Sequence, residues 1–529
     1  MSDFIEYPIS QMDFVSIRKR NMVYVDKTGI MFQLVRTNAS YFLSRPRRFG
    51  KSMLISTMKA YFEGRRELFE GLAISQLEKD WEHHPVIHID LSRSKYAQLS
   101  NLHSMLNSML LEYEHQYGIT ATQTDSYSSR LVNIIQSAHR QTGHQAVVLV
   151  DEYDAPMLDN ITNADRLTAI RDILRDLYSP LKAMAQHLRF VFLTGVTKFT
   201  QLSIFSELNN LYNISMDSRY DALCGITQKE LETQLREGVA DLAKANTETT
   251  TQAIEHLKRQ YDGYHFSKAM TDIYNPYSLI NVLNSGQYKN YWFGSGTPTM
   301  LPELMKRYNV SLIDMNHIEA TEDRFDSPTE QVDDILPVLY QSGYLTIKDF
   351  DPQFNLYTLG IPNEEVKVGL SNTIIRYYTG EAHNRRINFH DAYREFYRGG
   401  SVEDFLEATR QFYATIPYGL DNANERHYQA LLYAALISFG ADITAEQQTA
   451  AGRVDIVLKM PQAIYLIEFK YNQSAEKAAR QIREKDYPGF FAPDPRPKIA
   501  IGLNINSDAR SIDSWAIDTE TYNNQIDSL

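Results

Sequence analysis

Two apolar runs that each end in chemistry-bearing residues constrain this chain more than anything else in it. Tyr41-Phe42-Leu43-Ser44 leads into Arg45-Pro46-Arg47-Arg48-Phe49-Gly50-Lys51-Ser52, after which Met53, Leu54, Thr57, Met58 and Tyr61 recur at helical spacing. The pattern reads as strand, tight loop, helix. Phosphate recognition needs that arrangement. A glycine lets backbone N–H groups turn inward, the helix N-terminus adds positive potential, a lysine reaches the terminal phosphates, and a hydroxyl binds Mg²⁺. The full pattern asks for a second glycine five residues before Gly50, where this chain has Arg45; Gly50-Lys51-Ser52 alone also arises at ordinary helix starts. The second run, Ala146-Val147-Val148-Leu149-Val150, is wholly apolar and ends in Asp151-Glu152. A buried strand there delivers two carboxylates at its tip, one suited to Mg²⁺ and the other to polarising an attacking water. The bland alternative, an acid capping the next turn, is common for single acids and less so for a pair. A third run, Phe190–Leu193, ends in Thr194-Gly195-Val196-Thr197-Lys198, and Thr197 is placed to read a γ-phosphate.

These runs, with Val86–Leu91 between the first two in the chain and Leu211–Ile214 after the third, alternate with helical stretches, which predicts an α/β domain with a mostly parallel sheet. Beyond Cys224 the pattern changes. Helices are expected at 227–237 and 251–261, then an aromatic, turn-rich region, then a strand at 342–346 with Tyr357–Leu359 as its hairpin partner. Helical periodicity returns near Arg386. The expected division is therefore 1–230, a mixed middle region at 231–385, and 386–529. The 529 residues are 43% hydrophobic and 22% charged, enough apolar material for several cores. The formal net charge of −13 argues against coating nucleic acid or membrane by bulk charge, while leaving room for a local basic cleft. A lone cysteine excludes an internal disulfide and a cysteine-based zinc cluster. With no basic-then-apolar leader and no apolar run near membrane-spanning length, a cytoplasmic protein without membrane partners is expected. His83, His84 and His88 lack a second ligand cluster at a zinc spacing. The 34 tyrosines read as core and interface residues before base-stacking ones.

Near the C-terminus Arg453-Val454-Asp455-Ile456-Val457-Leu458 alternates, with Asp455 on the face opposite Val454 and Ile456. Ile464-Tyr465-Leu466-Ile467-Glu468-Phe469-Lys470 places Glu468 and Lys470 on one face. A turn at Pro461-Gln462 sets Asp455 opposite Glu468. Two facing acids repel unless a cation lies between them, which is the physical reason to expect a metal here. Lys470, one pleat away, suits a role on the water or on the charge of a phosphoryl transition state. Glu425 lies one turn before Tyr428, Leu431 and Leu432 on a preceding helix and can reach the same cleft. Gln481 and Lys485 share a face of the helix that follows.

Three stretches, Tyr24-Val25-Asp26-Lys27-Thr28, Leu43–Ser52 and Tyr61-Phe62-Glu63-Gly64, closely resemble the bacterial AAA-ATPase-like family. So do Tyr261-Asp262-Gly263-Tyr264, Tyr274-Asn275-Pro276 and Ser295-Gly296-Thr297-Pro298. The resemblance spans about residues 6–370 and implies a P-loop NTPase fold of the AAA type. It also implies ATP on Gly50, Lys51 and Ser52, with Asp151 and Glu152 as the acids beyond the second strand. In that family an arginine-proline-arginine-arginine stretch replaces the first glycine. Arg45, Arg47 and Arg48 are then phosphate clamps, fingers acting in trans within an oligomer, or a solvated basic loop. Gly343-Tyr344-Leu345-Thr346 resembles the wing strand of a winged-helix module. Residues 400–510 resemble the PD-(D/E)XK nuclease superfamily, a restriction-endonuclease-like α/β fold: Glu425 on a helix, Asp455 on one strand, Glu468-x-Lys470 on the next. Val454 stands where many members have proline. That resemblance implies Mg²⁺, or Mn²⁺, on Asp455 and Glu468, and a nucleic-acid substrate, DNA ahead of RNA. The expected whole is an ATP-binding protein with a DNA-cleaving domain; the alternative is a nucleotide-dependent switch or scaffold that binds without cutting.

Overall fold

The computed structural model describes residues 5–9, 13–37, 39–120, 125–161, 163–198, 211–294, 301–329, 334–379, 383–420 and 424–518. The chain forms two compact units, residues 1–295 with 317–365, and residues 296–316 with 366–529.

The first unit is built on five parallel strands: β1 (Ser40–Ser44), β2 (Val86–Asp90), β3 (Ala146–Asp151), β4 (Leu188–Gly195) and β5 (Leu211–Asn213). Their order is β2-β3-β4-β1-β5. β3 is buried along its whole length, as a central parallel strand covered by helices on both faces must be. One covering layer contributes Leu102, Leu106, Leu131, Ile134, Leu174 and Leu177 to the core. Although Val86–Asp90 lies between the loop and Asp151 in the chain, in space it is β4 that separates β1 from β3, and β2 lies at the sheet edge. The carboxyl ends of β1, β4 and β3 are thereby neighbours, the position at which open α/β sheets bind ligands.

Past Cys224 the expected helix at 227–237 is two helices, Gln228–Gln234 and Arg236–Ala245, broken at Leu235. Thr227 and Glu230 form a capping box at the first, Thr249 and Gln252 at the next helix, Thr250–Tyr261. The expected strand at 342–346 begins only at Thr346: Thr346–Asp351 pairs with Leu356–Gly360, which pairs in turn with Ile318–Ala320. Residues 342–345 instead turn off the helix Leu336–Gln341, with Gly343 at φ +86°. A Cβ on Gly343 would lie 2.7 Å from the Pro46 Cβ, so the turn needs glycine for its conformation and for its contact with the loop after β1. Asn275 caps the helix Pro276–Ser285. The Ser295–Pro298 motif lies outside the described residues.

The second unit carries a mixed five-stranded sheet in chain order, Asp442–Thr449, Gly452–Lys459, Ile464–Tyr471, Lys498–Asn506 and Ser511–Asp518. Only the third and fourth strands are parallel, and the helix Ala475–Glu484 forms their crossover. A Cβ on Gly502 would lie 2.0 Å from the Ala475 carbonyl oxygen, so this glycine lets the helix lie directly on the sheet. Among the described residues no helix is long and apolar enough to cross a membrane.

Candidate functional sites at two sets of strand tips

At the tip of β1, Gly50 (φ +91°) opens the helix Lys51–Phe62, and a Cβ placed on it would meet no atom within 4 Å. The Lys51 ammonium is buried and donates to the carbonyls of Arg45 (3.1 Å) and Pro46 (3.2 Å), with Glu152 Oε1 3.3 Å away. Glu152 reaches it from a left-handed backbone, φ +51°. Asp151 accepts from Thr194 Oγ1 at 2.9 Å and is also hydrogen-bonded to the Ser52 side chain. Burial first, then the Glu152 charge, pushes the Asp151 carboxyl up to about 6. The lysine, the serine and both acids of the sequence reading therefore meet in one place.

The arginines behave differently. Arg45 is fully buried; its guanidinium donates to the carbonyls of Ser44 (2.9 Å) and Ser215 (2.7 Å) and sits 4.0 Å from the Phe266 ring centroid. It braces the loop from inside, the job a small residue does by conformation in a two-glycine loop. Arg47 is exposed, and its carbonyl accepts from Trp292 Nε1 at 3.1 Å. Arg48 is exposed over the Tyr277 ring. Thr197 gives both its amide (2.6 Å) and its hydroxyl (2.8 Å) to Asp154, which also accepts from Val196 N (3.0 Å). Asp154, missed in the sequence, is the buried post that fixes the β4 tip; burial and the Glu152 charge hold its carboxyl above the usual range. Its signal was present as a third acid in Asp151-Glu152-Tyr153-Asp154.

In the second unit the hairpin turns at Pro461-Gln462 and pairs Ile456 with Ile467, the register that sets Asp455 against Glu468. Phe469 N donates to Asp455 Oδ2 at 2.8 Å, and Asp455 N approaches Glu468 Oε2 at 3.5 Å. Both carboxyls are pushed well above the usual range, chiefly by burial, with Asp455 adding repulsion on Glu468. Lys470 Nζ lies 3.5 Å from Glu468 Oε1 and donates to the Phe469 carbonyl at 2.8 Å. Glu425 is the first residue of the helix Glu425–Ser438 and accepts from the Tyr471 backbone N–H. Burial raises its carboxyl, partly offset by the Lys470 charge. Gln481 Nε2 donates to Glu468 Oε1, while Lys485 points to solvent at the end of that helix.

Two further residues were not read from the sequence. Glu446 sits in the edge strand Asp442–Thr449 at φ +53°, where the ladder to the next strand skips a pair. Gln429 Nε2 bridges Glu446 Oε1 and the Asp455 carbonyl, each at 2.9 Å. Extending the hairpin logic one strand upstream, through a turn at Ala450-Ala451, places Glu446 opposite Asp455 and would have found it.

Comparison with known proteins decides what these sites belong to. A family model described as a predicted AAA-ATPase, of the AAA-ATPase-like type, matches residues 8–205, and one for the PD-(D/E)XK nuclease superfamily matches residues 423–515. A relative from Azotobacter chroococcum mcd 1, described as "Uncharacterized protein in vnfD 5'region", is 32% identical over 528 residues, covering 97% of this chain and 98% of its own. This chain belongs to the AAA-ATPase-like family. It carries an ATPase-like domain and a C-terminal PD-(D/E)XK nuclease superfamily domain. Two solved structures also align, Cdc6p from Pyrobaculum aerophilum and the ORC2 protein from Aeropyrum pernix. The first is 13% identical with a TM-score of 0.20, covering 64% of this chain and 88% of its own. The second is 12% identical with a TM-score of 0.24, covering 71% and 96%. Scores that low carry no argument, and the family assignment rests on the sequence matches.

The donor sets suit the groups this family membership implies. Open space over Gly50, an inward lysine and a serine–aspartate pair suit a nucleotide phosphate with Mg²⁺. Asp455 and Glu468 offer hard oxygen ligands, their carboxyls raised chiefly by burial. Among the described residues, no group of three or more His, Cys, Asp or Glu is arranged to hold a metal ion.

Proposed function

We propose that this protein binds ATP in its N-terminal region and cleaves DNA phosphodiesters in its C-terminal one, in the cytoplasm. The functional division we assign is an ATPase-like domain over 1–230, a mixed middle domain over 231–385 and a nuclease domain over 386–529. At the first site Lys51 would turn from the loop carbonyls to the terminal phosphates, Gly50 would give backbone amides room to follow, Ser52 and Asp151 would hold Mg²⁺, and Glu152 would orient water. Arg45 acts through the loop, Arg48 would swing from the Tyr277 ring to a phosphate or a neighbouring copy, and Thr197 follows Asp154.

The observation that carries the nuclease reading is the apposition of Asp455 and Glu468 across the hairpin with Lys470 beside them. Asp455 and Glu468 would hold the Mg²⁺ or Mn²⁺, and Glu425 would support a second cation or the water. Bound there, the ion supplies Lewis acidity and a nucleophilic water at neutral pH. Lys470 keeps one proton-bearing group within reach of the scissile phosphate and neutralises its charge as it grows. Gln481 and the Phe469 amide hold the two carboxylates in place. That no group of three or more His, Cys, Asp or Glu among the described residues is arranged to hold a metal ion favours a second reading, a nucleotide-dependent switch whose nuclease-like domain binds without cutting.

Cleavage of plasmid and single-stranded DNA, with and without ATP, beside calorimetric titration with Mn²⁺, separates the two. The nuclease reading expects metal binding and cleavage in wild type and loss of both in Asp455→Ala. If wild type binds no metal and both proteins leave DNA intact, the switch reading stands.

A further inference from the structure

An acidic protein that acts on a polyanion needs local cationic groups, and the second unit gathers two arginines at one acid. Glu446 receives two arginines: Arg453 Nε pairs with Oε2, and Arg426 Nη1 lies 3.8 Å from Oε1. Both guanidiniums stay exposed there. The Arg453 side chain is 59% exposed and that of Arg426 46%, whereas Glu446 is 15% exposed. Arg426 is also tied to Asp314. The anchor itself is fixed from the site side, because Gln429 holds Glu446 and the Asp455 carbonyl together. The buried Tyr487 hydroxyl accepts from the Arg453 backbone N–H, and a Cβ on Gly452 would lie 3.0 Å from that oxygen. Glu446 has a left-handed backbone, uncommon for a glutamate and held by the surrounding contacts.

We infer that Arg426 and Arg453, positioned by Glu446, form a clamp for backbone phosphates of the nucleic acid, at the lip of the Asp455–Glu468 cleft. Guanidinium forks match phosphate oxygens bidentately, and exposed tips on a fixed base exchange a rim ion pair for a phosphate at little cost. Contacts of this kind give register and affinity without sequence preference. The clamp rests on the nuclease reading for its substrate, but its binding is independent of metal and so can be tested without it.

The test is fluorescence anisotropy of the full chain in EDTA with labelled single strands of DNA and of RNA of the same sequence, over a salt series. Arg426→Ala and Arg453→Ala are each expected to weaken binding about three- to tenfold and to lower the salt slope by about one, with melting temperature unchanged. Equal losses on both strands assign the clamp to the shared phosphodiester, and a loss on one strand alone assigns it to that strand. Glu446→Gln discriminates further. It adds one unit of positive charge, so bulk attraction would tighten binding, whereas a clamp that has lost its anchor binds about threefold more weakly. Folded arginine variants with wild-type affinity and slope, tighter binding by Glu446→Gln, or no binding by wild type to either strand overturns the clamp. Metal-dependent cleavage that survives in those arginine variants leaves the nuclease reading standing without it.

Discussion

At the tips of β3 and β4 the buried acids draw donors from the chain, with Asp154 Oδ1 alone of their described oxygens left buried without a hydrogen-bond partner. Asp154 takes two amides and a hydroxyl, Asp151 takes hydroxyls from Ser52 and Thr194, and Glu152 faces Lys51. At the C-terminal hairpin acids face acids: Asp455 and Glu468 approach each other, with Glu425 and Glu446 adding repulsion, against two amides, one glutamine and one lysine. Both clusters raise carboxyl proton affinity by burial. They differ in whether the cost is met inside the chain or left for a ligand. The first is a pre-ordered frame in which one cation, Lys51, has to move; the second is a charge imbalance that an incoming cation relieves. Removing an acid should therefore have opposite signs in the two places.

The largest effect is expected at the hairpin and is kinetic. Lys470→Ala should keep Mn²⁺ binding by calorimetry and lose roughly a hundred- to a thousandfold in cleavage rate, since its charge matters most in the transition state. Loss of metal binding in that variant would instead make Lys470 part of the static frame, like Lys51.

Of the same size is Asp154→Ala. It strands two buried amides and a hydroxyl, and should lower stability by roughly 3–5 kcal/mol in denaturant unfolding. Asp154→Asn, which keeps one acceptor oxygen, should recover most of that. An Asp154→Ala protein as stable as wild type would mean that the β4 tip does not depend on this post.

What could be read beforehand follows from range. β1, β3 and β4 were legible because a central parallel strand must be apolar along its length, and the Asp455–Glu468 register was legible because a two-residue turn fixes it. The burial of Arg45 was not, because its partners Ser215 and Phe266 are far away in the chain and an arginine beside a phosphate loop reads as a phosphate ligand. Residues 342–345 were misread as strand because Gly343 works through its contact with Pro46, which alternation cannot register. Glu446 escaped notice because the hairpin register was not extended to the edge strand one turn upstream, which sets it against Asp455.

Smaller again is the nucleotide effect. ATP with Mg²⁺ at about a hundred times its dissociation constant should stabilise wild type by about 2.7 kcal/mol, read as a rise in melting temperature. Lys51→Ala should abolish the rise, because the terminal phosphates lose their cation. Glu152→Gln should keep the rise and lose ATP turnover; equal turnover would move the water-orienting role to another residue. A rise that survives Lys51→Ala would show that the lysine stays on the Arg45 and Pro46 carbonyls when nucleotide binds.

The smallest effect tests the sign directly. Asp455→Asn keeps an oxygen to accept from Phe469 N and removes one of the facing charges. In EDTA it should stabilise the protein, on the order of 1 kcal/mol. Because burial and repulsion raise both carboxyls above their unfolded values, the native state of wild type holds more protons than the unfolded state above the ordinary carboxylate range. Wild-type stability therefore falls as pH rises through that interval. The gain from Asp455→Asn should be absent near about pH 2, where both groups are protonated in either state, and greatest near about pH 8. Excess Mn²⁺ should reverse the order, since wild type alone keeps the paired ligands. If Asp455→Asn is destabilised in EDTA near about pH 8, as Asp154→Ala is expected to be, the hairpin acids are as fully satisfied within the chain as those of the phosphate loop, and no cation is needed to hold them together.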